Sequence, residues 1–318
     1  MSKQIIGGID GGGAKSGRVL VSGSFCYDVI FDCCGGLEAA AAGAVFFAPD
    51  VRRVFGGCGG NIAYGLAQLG DAPLLAAAAG KDWQDYRAHL AKHNIDDRHI
   101  LVRDDCWTAM AFVMNDENGG QMTVFHPGAS VHSHRQNLGD IAEDIAVAIV
   151  SPNAGAAMMK HSRELFAMKT PFVFDPGQAI SLLSADELRE ALEMCACAIF
   201  NAGEFAAALA TMGGGEKDAV RYAGAIIITD GEEGSRLLLK DGGEIRCAAM
   251  MTGKTADTTG CGDAYRAGLL HGMLRGWQWR RQMQFAATMA GIKAQTHGGQ
   301  QYQTTAAKVE TRRRQFFN

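Results

Sequence analysis

The chain has 318 residues, with 30 Lys and Arg against 34 Asp and Glu, for a formal net charge of −4. That balance excludes a general nucleic-acid backbone binder, which carries a basic excess. Hydrophobic residues make up 47% and Pro only 6 positions, so the chain can bury a core without staples and is no Pro-rich linker.

Short apolar runs then alternate with longer helical patterns. Arg18–Ser22 reads as a strand ending at Gly23, and Asn61–Leu69 as a helix. Leu74–Ala79 is a strand ending at Gly80, followed by a helix over Trp83–His93. Ile145–Val150 (IAVAIV) is a buried strand closed by Ser151-Pro152-Asn153, and Pro171–Phe174 runs into Asp175-Pro176-Gly177. Helices over Ala185–Met194 and Gly203–Met212 flank a strand at Cys197–Phe200. Ala225–Thr229 stops at Asp230-Gly231, and a last helix covers Asp263–Leu274. This rhythm predicts an α/β fold with a mainly parallel sheet and helices on both faces. Ligands in such sheets bind outside the carboxyl ends of the strands.

Two regions break the rhythm. Val29–Pro49 reads as irregular, and Trp107–Asn115 and Gln121–Phe125 flank Asn118-Gly119, a hairpin signal. Segments of about 29–50 and 104–126 are therefore expected to form a small lid. No linker-like stretch divides residues 18–318, which read as one domain behind an extension, residues 1–17.

Nine cysteines are present. The number is odd and none forms a C-x-x-C pair, so neither a disulfide framework nor a zinc site is expected. Free thiols suit a reducing cytoplasm. No apolar run reaches the roughly 18 residues that span a bilayer, and Met1–Gly17 lacks the apolar stretch of a signal peptide. The expected setting is cytoplasmic, without nucleic-acid or membrane partners.

Two glycine-rich segments carry the chemistry. In Asp257-Thr258-Thr259-Gly260-Cys261-Gly262-Asp263, the glycines free backbone N–H groups just before an apolar-periodic helix. The helix dipole makes this an anion site suited to phosphate. Asp263 beside it can accept a proton from an attacking hydroxyl, although alone it also reads as a helix N-cap. Gly56-Gly57-Cys58-Gly59-Gly60-Asn61 likewise runs into a helix. Asn61 can donate and accept at once, which suits a polyol.

Together these segments resemble the two signatures of the PfkB/ribokinase family of carbohydrate and nucleoside kinases, in the same order. The resemblance covers about residues 18–300. It implies a ribokinase-like three-layer αβα sandwich with a mainly parallel sheet and a small β lid. It also implies an ATP- and Mg²⁺-dependent phosphotransferase. Asp28, Gly57 and Asn61 would hold the acceptor's hydroxyls, with Phe125 nearby, and Asp263 would be the base. The N–H groups of Gly260, Cys261 and Gly262 would stabilise the transferring phosphoryl group. Asn201, Thr229, Gly231 and Gly234 would line the nucleotide. Glu204, in Asn201-Ala202-Gly203-Glu204, would serve Mg²⁺ through water, and Asp257 a monovalent cation such as K⁺. Taken singly, Asn201 also reads as a strand-end cap and Gly231–Gly234 as a hairpin turn.

Phe125-His126-Pro127-Gly128-Ala129, Asp175-Pro176-Gly177-Gln178, Tyr265-Arg266-Ala267-Gly268 and Gly298-Gly299-Gln300 look closest to the bacterial adenosine kinase-like branch. The expected acceptor is accordingly the 5′-hydroxyl of a nucleoside, adenosine first, in a monomer or homodimer. Competing readings are a simple sugar kinase for ribose or fructose, or a non-catalytic nucleoside- or sugar-binding module. A base needs an aromatic cleft, for which Phe25, Tyr27, Trp107, Phe112 and Phe125 are candidates. Gly8–Lys15 looks like the phosphate loop of another kinase superfamily, but without its partner motif it reads as coincidence. Asp28–Asp50 reads as a shortened lid.

Overall fold

Ile145–Val150 is buried along nearly its whole length, the signature of a strand covered on both faces. In the computed structural model, which describes residues 11–34, 45–116, 118, 120–141, 143–251, 253 and 255–317, this strand sits in the middle of a nine-stranded sheet. The strands are β1 (Arg18–Ser22), β2 (Cys26–Cys34), β3 (Phe47–Gly56), β4 (Leu74–Gly80), β5 (Ile100–Arg103), β6 (Ala109–Asn115), β7 (Gln121–His126), β8 (Ile145–Val150), β9 (Phe172–Phe174), β10 (Cys197–Asn201), β11 (Ala225–Thr229), β12 (Ser235–Leu239) and β13 (Glu244–Cys247). The large sheet has the order β13-β12-β11-β10-β9-β8-β1-β4-β5. Only β12 and β13 run antiparallel to their neighbours.

The helices are α1 (Cys58–Gln68), α2 (Gln84–Lys92), α3 (Gly155–Ala167), α4 (Ala185–Met194), α5 (Ala202–Met212), α6 (Glu216–Tyr222), α7 (Cys261–Leu274), α8 (Trp279–Lys293) and α9 (Ala306–Phe317). They form the two outer layers because successive strand residues point to opposite faces. Val19, Val21, Val147 and Ile149 pack with α1, α2, α7, α8 and α9. Leu20, Ala148, Val150 and Phe174 pack with α3, α4, α5 and α6. The expected three-layer sandwich is present.

Four of these helices, α3, α6, α8 and α9, are absent from the sequence reading. The buried face of α8 carries Gln282, Thr288 and Lys293 among its apolar residues, and that of α3 carries His161 and Ser162. Both blur the apolar period. Helix α9 buries only Val309.

The second sheet is four-stranded, in the order β3-β2-β6-β7. It corrects the irregular reading of Val29–Pro49: β2 and β3 pair antiparallel from Cys26↔Gly56 to Cys34↔Phe47. Pro49 misled because proline breaks ladders, but β3 is an edge strand, where its missing N–H is tolerated. Asp28, just beyond β1, lies within β2. Residues 35–44 of the lid segment and Glu117 and Gly119 of the β6–β7 turn lie outside the described residues.

Gly8, Ile9 and Asp10 of the glycine motif near the N-terminus also lie outside them. Gly11 and Lys15 donate to the carbonyls of Trp277 and Leu274, at the end of α7. That end is about 20 Å from the start of the 14-residue helix at about 1.5 Å per residue, so these glycines are remote from the other two glycine-rich segments.

Candidate active site

Both glycine-rich segments become helix starts. Gly57 precedes α1 with φ 85° and Gly260 precedes α7 with φ 79°, the left-handed region that favours glycine. Neither start has a side-chain cap: the Gly60 N–H donates to the Ser24 carbonyl and the Cys261 N–H to the Thr258 carbonyl, and no N–H of either first turn has an intrahelical partner. The helices lie side by side with almost no side chain between them: a Cβ at Gly65 would stand 2.6 Å from that of Ala267. Their starts therefore meet.

At the meeting point Asn61 Nδ2 donates to Asp263 Oδ2 at 2.8 Å. The amide is oriented from behind. Gln300 Nε2 donates to Asn61 Oδ1 at 3.0 Å and to the Tyr86 hydroxyl at 2.7 Å, and Tyr86 donates to the Gly56 carbonyl at 2.8 Å. Asp263 is thus not the helix cap. Gly260 is, and Asp263, two residues into the helix, is free to point sideways.

From this junction a cleft of about 460 Å³ runs along the carboxyl ends of β8, β9, β10 and β11. The start of α7 lines one side with Gly260, Cys261, Gly262 and Asp263. Asn201, Glu204, Thr229, Gly231 and Gly234 line the other. The Asn201–Glu204 pair is a capping box: Asn201 Oδ1 accepts from the Glu204 N–H and Glu204 Oε2 from the Asn201 N–H, both at 2.8 Å. Gly231–Glu233 forms a 3₁₀ turn closing the hairpin from β11 to β12. Each structural role coexists with a place on the cleft wall.

A buried ion pair underlies the floor. Arg266 is held by both carboxylate oxygens of Asp175, through Nε and, at 2.6 Å, through Nη2. Its remaining nitrogen, Nη1, lies beside Gly262, 2.9 Å from where a Cβ would stand. Burial lifts the Asp263 carboxyl to about 6, against the opposing pull of the Arg266 guanidinium and the Asn61 amide. The Cys58 thiol beside Asp263 also opposes the rise, and burial holds that thiol well above its usual range. Burial likewise raises Glu204, opposed by the Asn201 N–H, and Asp28, opposed by the Cys26 thiol at 3.0 Å.

Of the residues singled out from sequence, Asp28, Gly57 and Asn61 gather on the lid side of the junction. Asp28 lies across the ladder from Val54 and against Gly56, whose Cβ would stand 2.1 Å from its Oδ2. Phe125, 54% exposed on the edge strand β7, shares a ladder row with Asp28 through Ala111. Phe25 and Tyr27 are core residues packed on Tyr86, not walls of a base cleft. Asp257 lies outside the cleft lining. Its carboxylate accepts from the N–H groups of Thr259 and Gly298, each at 2.8 Å, and faces the ammonium of Lys293 at 3.7 Å. These N–H groups outweigh burial and hold Asp257 below its usual value.

Sequence reasoning missed the Asp175–Arg266 pair, Cys58, Gln300 and Lys293 as site residues. An arginine amid Ala264, Tyr265, Ala267 and Gly268 signals a paired buried charge, but its partner lies 91 positions away.

Comparison with known proteins identifies the family. Residues 17–306 match the pfkB family carbohydrate kinase. The nucleoside kinase of Methanocaldococcus jannaschii is 28% identical over 269 residues, covering 83% of this chain and 87% of that one. Its structure superposes with a TM-score of 0.88 at 25% identity, over 95% of this chain and 100% of that one. The Burkholderia thailandensis nucleoside kinase, solved with inosine, superposes with a TM-score of 0.87 at 34% identity, over 94% of this chain and 98% of that one. It has also been solved with ADP-inosine, at 33% identity, a TM-score of 0.84, and 94% and 96% coverage. The chain is a kinase and belongs to the pfkB family of carbohydrate kinases, with the ribokinase-like fold.

Proposed function

We propose that the protein transfers the γ-phosphoryl group of ATP to the primary 5′-hydroxyl of a nucleoside, adenosine first. The observation that carries this is the Asn61–Asp263 hydrogen bond. It joins a polar, neutral helix start to a phosphate-suited one at one end of a cleft. The nucleoside acceptor is further supported by relatives named nucleoside kinases, one solved with inosine. A cytoplasmic setting accords with nine free cysteines.

In this reading Asp28 and Asn61 hold the acceptor's hydroxyls beside Asp263. Ionised Asp263 takes the proton from the attacking hydroxyl. Its raised pKa makes it a stronger base than an ordinary aspartate while leaving it ionised at neutral pH. The N–H groups at the start of α7, aided by the dipole and by Arg266 behind Gly262, stabilise charge on the transferring phosphoryl group. Asn201, Thr229, Gly231 and Gly234 position the nucleotide. The donor set fits Mg²⁺. Among the described residues no cluster of three or more His, Cys, Asp or Glu could hold a metal by protein ligands alone. Glu204 on the cleft wall suits an ion that keeps its waters and binds phosphate. When bound, Mg²⁺ neutralises phosphate charge.

The test is ADP release from ATP and Mg²⁺ with adenosine, inosine, guanosine, cytidine, ribose and fructose offered separately. Stimulation by adenosine above the others supports the full proposal. Stimulation by a sugar alone would retain the mechanism and discard the nucleoside. The absence of stimulation by any acceptor would overturn it.

A further inference from the structure

Helix α8 ends on a lysine with no exposed surface: Lys293 is 0% exposed. A buried ammonium is tolerated only where oxygens surround it. Lys293 Nζ donates to the carbonyl of Asp257 at 2.8 Å and to that of Thr296 at 3.2 Å. The Oδ2 of Asp257 lies 3.7 Å away. These oxygens belong to two segments that meet at the start of α7. A Cβ on Gly260 would stand 2.8 Å from the Cα of Gly299. The first segment leads from Asp257 into the glycines of the cleft. The second leads to Gln300, which orients Asn61. The Ala256 N–H is tied to the same end of α8, donating to the Ala294 carbonyl at 2.8 Å.

This arrangement does not fit a monovalent cation served by Asp257. The carbonyl and carboxylate such an ion would use already face a fixed positive charge, which also fills the space between the two segments. We propose that the ammonium of Lys293 is a tethered cation in that place. It braces the Asp257 and Thr296 carbonyls so that the N–H groups at the start of α7 stay aimed into the cleft. Lys293 is a positioning residue, acting through the backbone. Phosphoryl transfer by this chain therefore needs no added monovalent cation. The inference rests on the phosphotransfer reading for its rate arm, and on geometry alone for its melting arm.

The experiment compares KCl with tetramethylammonium chloride at equal ionic strength, reading both turnover and the thermal unfolding midpoint in wild type and in Lys293→Ala and Lys293→Met. In wild type, turnover and midpoint should be the same in the two salts. In folded Lys293→Ala, which leaves a void, turnover should fall by on the order of 10²-fold. K⁺ or NH₄⁺ should restore it and raise the midpoint. Lys293→Met fills the space without charge, so neither ion should rescue it. Several-fold stimulation of wild type by K⁺, or a K⁺-dependent rise of its midpoint, would overturn the proposal. So would a folded Lys293→Ala that no small cation rescues. If the alanine variant does not fold, the wild-type comparison decides. If no acceptor is phosphorylated, the midpoints still do, so the two proposals fail separately.

Discussion

The starts of α1 and α7 look alike in sequence, two glycine-rich runs that each enter a helix through a glycine of positive φ. Their glycines answer to different neighbours. At α1 a Cβ on Gly57 would stand 2.5 Å from the Phe25 backbone, and one on Gly60 2.2 Å from the Tyr86 hydroxyl. These glycines let the protein close upon itself. At α7 a Cβ on Gly260 would stand 2.8 Å from the Gly299 Cα and one on Gly262 2.9 Å from the Arg266 Nη1, but both glycines also line the cleft. The position pointing across the junction also differs. Neutral Asn61 stands at one start and ionisable Asp263 at the other. One start is a rigid mount, the other the working surface. Glycine-rich composition alone does not tell them apart.

The comparison breaks most sharply at Asp263. Asp263→Asn should lower turnover by roughly 10²-fold or more, the size of a lost general base, with ATP binding still measurable by calorimetry. Retained turnover would remove Asp263 from the chemistry. Stability should move the other way. The folded pKa of about 6 exceeds the ordinary carboxylate value. Wild type therefore loses stability as pH rises through about 6, and the asparagine variant does not. The variant should melt higher at pH 8, with the gap closing near pH 4.

The next two substitutions set mount against surface. Gly57→Ala forces a Cβ into the Phe25 backbone at a left-handed φ, and should cost about 2 kcal/mol or more of stability. An unchanged melting midpoint would contradict the packing role. Gly262→Ala presses on the Nη1 of Arg266, which Asp175 holds in place. It should cost about 1 kcal/mol, less than Gly57→Ala, while turnover falls by about tenfold through misaimed N–H groups. A large loss of stability there would erase the distinction. The smallest effect is expected at Glu204→Gln. Glutamine can still complete the capping box, so the fold should hold while half-saturation by Mg²⁺ rises a few-fold. An unchanged Mg²⁺ titration would release Glu204 from that role.

Much of this was legible in the sequence because it is local. Strand runs such as IAVAIV and AIIIT, the Asn201–Glu204 box and both glycine segments carry their own pattern. What was hidden is long-range or counter-patterned. The Asp175–Arg266 pair spans 91 positions. Lys293 looks like an ordinary helix-terminal cation until α8 is seen to bury it. Strands β2 and β3 escaped notice because one edge tolerates Pro49.

The central claim is that Asp263, held by Asn61 where the two helix starts meet, works as a base with a raised pKa. The measurement that tests it most directly is the pH dependence of kcat/KM for wild type with ATP and its best acceptor. The account predicts an acid limb of unit slope with an apparent pKa near 6. A profile flat through that region, falling only near the ordinary carboxylate value of about 4, would contradict it.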